Sequence, residues 1–455
     1  MATHPIVFEY GYLSCDKKAA KENSFTLIST EAFQYLEQRC LCQEEAEVSQ
    51  FLLLRAKHGH KVLQVKNYVG VIFTPHGQHI EVLPKIAKTS DRSESAITHS
   101  RKLLLMMLKH LGHFRHIITN TANVETLKMP LLEVFIEQFL QSVNQVVKRG
   151  LRSDYIQQQD NLAYQKGKLL VDKQIRHNAI NKHKFFVEYD EFLQDRPANR
   201  LIRAALKKVA GYTKRHQNQR LLRELDFAFD GIPASRVPKQ DFAQIKLDRG
   251  MSYYHAPLAW SRLILEGFSP LSMKGNANAQ SLLFPMEAVF ESYVASVLSQ
   301  QLPEGFQLCK QATGKVLVTH NKSDYFRLKP DLVIESSSES SSESTAESMN
   351  RRCAVLDTKW KLINAGKSSS SDKYDLSQSD FYQMFAYGHK YLQGKGDVFL
   401  IYPVHSHFEE PLEHSFDFSD TLRLWVVPFV LELDSNSRLI WPTHLKKPYI
   451  QKPRV

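Results

Sequence analysis

The chain has 455 residues, 43% of them hydrophobic and 24% charged, and carries a formal net charge of +11. This length allows two or three domains, and basic residues spread along the chain favour a polyanionic partner such as nucleic acid. Five irregularly spaced cysteines exclude a disulfide framework, and neither a basic-then-apolar leader nor an apolar run of spanning length points to a membrane.

Residues 1–120 are expected to form a β-rich domain. A helix is predicted around Glu31–Gln38. Cys40-Leu-Cys42 lacks the second ligand pair that structural zinc requires, and the sparse cysteines fit a reducing cytoplasm. Val69–Phe73 and His79–Leu83, separated by Thr74-Pro75-His76-Gly77-Gln78, read as a hairpin. A further helix is predicted over His99–Leu111.

Residues 121–265 are expected to be mostly helical. Pro130 opens a run with Leu131, Val134, Phe135, Phe139, Val143 and Val147 on one side, ended by Gly150. Asp195-Arg-Pro197 is expected to cap another helix, continuing through Leu201, Ala205 and Leu206. Arg149, Arg152, Lys166, Lys168, Lys173 and Arg176 cluster here, either to track phosphates or to solvate a helical surface. The histidines are scattered and show no pair at metal-binding spacing.

The third region, 266–455, carries the chemistry. Pro285 suits a helix start, and Val289, Phe290, Tyr293, Val294 and Val297 give that helix a buried stripe. Glu291 flanks the stripe, whereas Glu287 is nearer the first turn. Next comes Lys329-Pro330-Asp331-Leu332-Val333-Ile334, then a serine-rich interruption over 336–348, then Ala354-Val355-Leu356-Asp357-Thr358-Lys359-Trp360. In an extended strand side chains alternate, so Asp357 and Lys359 share a face. Pairing the two apolar strands can bring Asp331 beside Asp357. Two carboxylates and the Thr358 carbonyl offer the hard oxygens that Mg2+ takes while leaving room for water and a phosphate. Lys359 is then the ammonium that orients water or offsets phosphate charge. A charge such as Asp357, after so apolar a run, needs a partner or a metal.

A helix is predicted over Asp380–Leu392, with Phe381, Met384, Phe385 and Leu392 as its apolar stripe. Gln383 and Tyr387, one turn apart, share another face. The serine-rich segments at 336–348 and 368–371 read as low-complexity, disordered loops.

Pro-Asp followed by Asp-x-Lys resembles the metal site of the PD-(D/E)xK nucleases, and the later Gln-x-x-x-Tyr resembles their RecB-like branch. The order Phe290-Glu291-Ser292-Tyr293-Val294, Lys329-Pro330-Asp331, Leu356-Asp357-Thr358-Lys359-Trp360-Lys361 and Tyr382-Gln383-Met384-Phe385-Ala386-Tyr387 resembles McrC, the nuclease subunit of the McrBC restriction systems. Upstream, Tyr68-Val69-Gly70-Val71-Ile72 with Glu81-Val82-Leu83-Pro84-Lys85-Ile86 looks like the amino-terminal domain of that family. Gly150-Leu151-Arg152-Ser153-Asp154-Tyr155 and Glu188-Tyr189-Asp190-Glu191-Phe192 through Asn199-Arg200-Leu201 look like its middle.

The resemblance implies an α/β multi-domain chain ending in a mixed sheet flanked by helices. It implies a Mg2+-dependent DNA endonuclease acting on double-stranded, modified DNA. Asp331, Asp357, Lys359, Gln383 and Tyr387 would belong to its site, and an acidic residue on the preceding helix would complete the metal set, with Glu291 the candidate and Glu287 the alternative. No Gly-x-x-x-x-Gly-Lys-Ser/Thr occurs, so GTP would be bound by a partner, a McrB-like AAA+ GTPase docked on residues 1–120. A non-catalytic adaptor that stimulates this motor and clamps DNA is the competing reading.

Overall fold

The structure, a computed structural model, describes residues 4–41, 51–74, 78–85, 93–111, 129–265, 281–336, 351–433 and 436–450. The serine-rich insert from 337 onward and the tip of the predicted hairpin at 75–77 lie outside these residues. The chain divides into two compact units. One is drawn from Met1–Lys128 and Leu283–Val455, the other from Met129–Ser272.

The amino-terminal part of the first unit carries β1 (Ile6–Phe8), β2 (Tyr12–Ser14), β3 (Thr26–Leu27), β4 (Leu52–Lys57), β5 (His60–Val65), β6 (Tyr68–Phe73) and β7 (His79–Leu83). These form two small sheets, ordered β3-β2-β5-β4 and, with a strand from later in the chain at its edge, β1-β7-β6. His58 and Gly59 both take positive φ, 51° and 77°, which closes the tight turn between β4 and β5 with the twist that paired strands need. The predicted hairpin is present as antiparallel β6 and β7. The helix expected at His99–Leu111 runs Glu94–Leu108 instead, because the Ser93 hydroxyl accepts from Ala96 N and fixes the start more than a turn earlier. That helix delivers Arg101 to the buried Glu81 as a bidentate pair, at 2.5 and 2.7 Å.

The second unit contains the predicted Leu131–Arg149 helix, ended by Gly150 at φ 90°. It also contains an antiparallel sheet that the helical expectation lacked, with β8 (Asp154–Leu162), β9 (Lys168–Leu169) and β10 (Phe185–Leu193) in the order β8-β10-β9. The Pro197–Ala210 helix starts as expected, but Asp195 does not cap it. Arg196 occupies the cap position without a side-chain bond, and Asp195 binds the Arg200 guanidinium at 3.0 Å. Of the basic cluster, Lys166 lies over the Tyr189 ring and Lys173 over the Phe186 ring.

The carboxy-terminal part of the chain continues with β11 (Ser281–Pro285), β12 (Phe306–Lys310), β13 (Lys315–His320), β14 (Ser323–Leu328), β15 (Leu332–Ser336), β16 (Arg351–Thr358), β17 (Gly396–Pro403), β18 (Phe416–Asp417), β19 (Leu422–Val430) and β20 (Arg438–Leu439). The main sheet has the order β12-β15-β16-β17-β19-β18, with β20 on β19. β15 and β16 are antiparallel, while β16, β17 and β19 run parallel. The parallel strands are apolar on both faces, as a covered parallel sheet requires: Val398 through Tyr402 are all fully buried.

The helix that links β16 to β17 runs Gln378–Leu392. Its inner face holds Met384, Tyr387, Gly388, Tyr391 and Leu392, a spacing of three and four. Phe385, predicted in the stripe, is 45% exposed because it lies a quarter turn off that face. A Cβ on Gly388 would meet Leu422 Cδ2 at 2.6 Å, so a side chain there would require the Leu422 side chain on β19 to shift. The serines at 368–371 belong to an ordered turn, in which Ser369 Oγ accepts from Asp372 N and donates to Asp372 Oδ2. Among the described residues no helix is long and apolar enough to cross a membrane.

Candidate active site

The register Leu332↔Leu356 and Val333↔Val355 aligns the two apolar strands. Continued by one step, it sets Asp331 across from Asp357. Asp331 therefore stands just before β15 rather than inside it, and Asp357 is the second-last residue of β16. Thr358 ties them together, since its amide and its hydroxyl both donate to Asp331 Oδ2 at 2.8 Å.

Asp357 is 1% exposed. Its Oδ2 lies 2.7 Å from Lys359 Nζ as an ion pair without an aligned hydrogen bond, and its Oδ1 is 3.4 Å from Gln383 Nε2. Burial, then the charge of Asp331, pushes the Asp357 carboxyl up to about 7, against the pull of Lys359. Burial opposes the Lys359 charge, but Asp357, Asp380 and Asp331 outweigh it and hold the ammonium above its ordinary range.

The Gln378–Leu392 helix closes the site from one side. Gln383 Oε1 accepts from Lys359 Nζ at 3.1 Å, and Gln383 Nε2 donates to Tyr387 Oη at 2.7 Å. Tyr387 Oη donates in turn to the Lys329 carbonyl at 3.0 Å. Asp380, three residues before Gln383, brings Oδ1 to 3.9 Å from Lys359 Nζ. Its sequence signal was the shared helix face, which the Gln/Tyr pattern overshadowed.

On the Met286–Gln301 helix, Glu291 and Glu287 separate clearly. Glu287 is exposed and accepts from Asn67 Nδ2 at 3.0 Å. Glu291 is raised above the ordinary carboxylate range, first by burial and then by the charge of Asp331. It accepts from Gln311 Nε2 at 3.1 Å, while Gln311 N donates to the Asp331 carbonyl at 2.8 Å. Gln311 had no signal in the sequence. Asp331, Asp357, Lys359, Gln383, Tyr387 and Thr358 thus form one connected group, with Glu291 joined to it through Gln311. Among the described residues no three His, Cys, Asp or Glu side chains converge as a ready ligand set. The donors nevertheless suit a hard divalent cation: a buried carboxylate with an oxygen outside any aligned hydrogen bond and a second carboxylate opposite it leave negative charge that one ammonium does not neutralise.

Compared with known families, residues 63–403 match the one described as "McrBC 5-methylcytosine restriction system component". No curated protein matches the chain. Among solved structures, one similar chain comes from the refined half-complex of a tetradecameric assembly of Thermococcus gammatolerans McrB AAA+ hexamers with bound McrC. It is 18% identical, with a TM-score of 0.64, and the match covers 95% of this chain and 96% of that one. Another comes from the cryo-EM structure of the Thermococcus gammatolerans McrBC complex, 20% identical with a TM-score of 0.46, covering 66% of this chain and 88% of that one. At such identities the first likeness bears on the fold alone.

Proposed function

Because the match over residues 63–403 makes the chain a member of the McrBC 5-methylcytosine restriction system component family, we propose that it is a Mg2+-dependent DNA endonuclease subunit. The observation that carries this reading is the meeting of Asp331, Asp357 and Lys359 at the ends of two paired strands. That arrangement, on a mixed sheet between two helices, supports a PD-(D/E)xK nuclease within 266–455.

Asp331, Asp357, the Thr358 carbonyl and Glu291 are the groups that would hold Mg2+. When bound, the ion supplies Lewis-acid polarisation of a phosphoryl oxygen and a bound water of lowered pKa. The chain supplies the rest. Asp357 and Gln383 hold the Lys359 ammonium at the mouth of the carboxylate pair, where it orients the attacking water and offsets charge on the phosphate. Asp357, with smaller help from Asp380 and Asp331, keeps that ammonium protonated, and Tyr387 anchors Gln383 to the backbone before Asp331.

The partner in this proposal is a McrB-like AAA+ GTPase. Two observations support it: the fold likeness to McrC bound to McrB AAA+ hexamers, and a sequence without a phosphate-cradling loop. Residues 1–120 would dock on that motor and stimulate its GTP hydrolysis, with 121–265 as a mostly helical middle domain, in a cytoplasmic assembly on double-stranded, modified DNA. Supercoiled plasmid mixed with both subunits, GTP and Mg2+ tests the proposal. Cleavage is expected, and chelation of the metal should stop it. An intact plasmid in the complete mixture contradicts the proposal.

A further inference from the structure

Between β12 and β15 the chain leaves the main sheet as a two-stranded ribbon of β13 and β14. Such ribbons are marginal in water unless one face packs on something else. Here every residue from 313 to 327 except Val316 is exposed. Leu317, Val318, Tyr325 and Phe326 are among them, with Phe326 at 71%. Phe326 sits where the pairing passes from Val316↔Arg327 to Val318↔Tyr325, and it takes a φ of 56°. A bulky residue in that region is uncommon, and strained backbone concentrates at functional sites.

The ribbon is rooted in the candidate active site. Tyr391 Oη lies 2.8 Å from the Ala312 carbonyl and 3.1 Å from that of Leu328, at the two feet of the ribbon. Tyr387 holds Lys329, and Gln311 holds both Asp331 and Glu291. Between 310 and 329 stand Lys310, Lys315, Lys322, Arg327 and Lys329 against the single acidic Asp324. That balance suits a polyanion. The major groove of DNA admits a two-stranded β-ribbon.

We propose that the 315–328 ribbon is a duplex-DNA arm that enters the major groove, with Lys322 and Arg327 on backbone phosphates and Phe326 against the base edges. It deepens the endonuclease reading and rests on it, since its rooting holds the bound duplex beside Asp331 and Asp357. Lysines on an exposed ribbon also guard against edge-to-edge strand pairing, but guards would leave DNA affinity untouched.

The test is anisotropy of a fluorescein-labelled linear duplex titrated with the full-length chain in metal-free buffer at several salt concentrations. Lys322→Ala with Arg327→Ala is expected to weaken binding roughly tenfold or more near physiological salt and to reduce the log–log salt slope by about 0.9 for each phosphate no longer neutralised. Phe326→Ala is expected to weaken binding with the slope unchanged, and circular dichroism of all variants should match the parent. Parental affinity and slope in these variants would overturn the proposal. So would variants that keep DNA binding but lose association with the AAA+ partner, or a parent chain that binds no duplex. Cleavage by Asp357→Ala, measured in parallel, separates the two readings. Weakened binding in the ribbon variants together with unaltered cleavage by Asp357→Ala leaves the arm standing and removes the active site. The reverse pattern removes the arm alone.

Discussion

Asp357 and Lys359, two residues apart at the end of β16, meet at 2.7 Å, with the carboxylate buried and the ammonium at the open side. Burial and Asp331 lift this acid to about 7 even against the pull of Lys359, so without the lysine it would be higher still. Removing either partner therefore changes the other, and the two changes have different signatures.

Lys359→Ala should lower cleavage by roughly a hundredfold or more, the scale of losing one preorganised charge at a developing oxyanion. Mg2+ binding, followed by calorimetry, should persist if, as proposed, the ammonium acts on water and phosphate. Loss of metal binding together with cleavage would instead make Lys359 a structural prop of the carboxylates.

Gln383 meets the site's side chains rather than the reacting atoms, accepting from Lys359, donating to Tyr387 and lying 3.4 Å from Asp357 Oδ1. It is a positioning residue. Gln383→Ala should cost roughly ten- to hundredfold in turnover, as removal of supporting hydrogen bonds does around metal ligands. DNA affinity should stay unchanged, and an equal loss of both would contradict the assignment.

Glu9 is buried beneath the site, where its Oε2 accepts from Trp360 Nε1 at 2.9 Å and from Lys85 N at 3.0 Å. Burial pushes its carboxyl from 4.5 to about 8. The folded state thus holds a proton that the unfolded chain has released, so this contribution to stability is complete below pH 4.5 and is lost as pH rises through about 8. Thermal denaturation of the parent and of Glu9→Gln across that window should show a shallower pH slope for the variant. Identical slopes would mean that Glu9 is ionised in the fold.

Gly388→Ala should destabilise the fold by about 1–3 kcal/mol through the overlap with Leu422. This outweighs the gain of about 1 kcal/mol that alanine brings to a helix interior. Chemical denaturation measures it, and a more stable variant would show that Leu422 can move aside.

The part of the site that lay in local periodicity was legible in the sequence. Alternation along a strand placed Asp357 beside Lys359, and a four-residue helical step placed Gln383 beside Tyr387. Gln311 was not legible, because its role arises only when β12 and the Met286–Gln301 helix approach Asp331 in space. Glu291 and Glu287 stayed open for the same reason: the choice depends on which neighbour each meets, Gln311 or Asn67. In the sheet of the second unit, Gln157-Gln158-Gln159-Asp160-Asn161 of β8 carries none of the branched or aromatic residues that mark strands, whereas β10 does carry them at Phe185, Phe186, Val187, Tyr189 and Phe192. Asp195 stands one residue before the cap position, which Arg196 fills, and pairs with Arg200 instead.

The most direct measurement is plasmid cleavage and GTP turnover recorded together for Asp357→Ala in the presence of the AAA+ partner and Mg2+. Cleavage should fall by orders of magnitude while stimulation of GTP hydrolysis persists, and the metal-free variant should be at least as stable as the parent, since a buried repulsion with Asp331 is gone. Cleavage that continued at the parental rate would mean that this chain is not the nuclease.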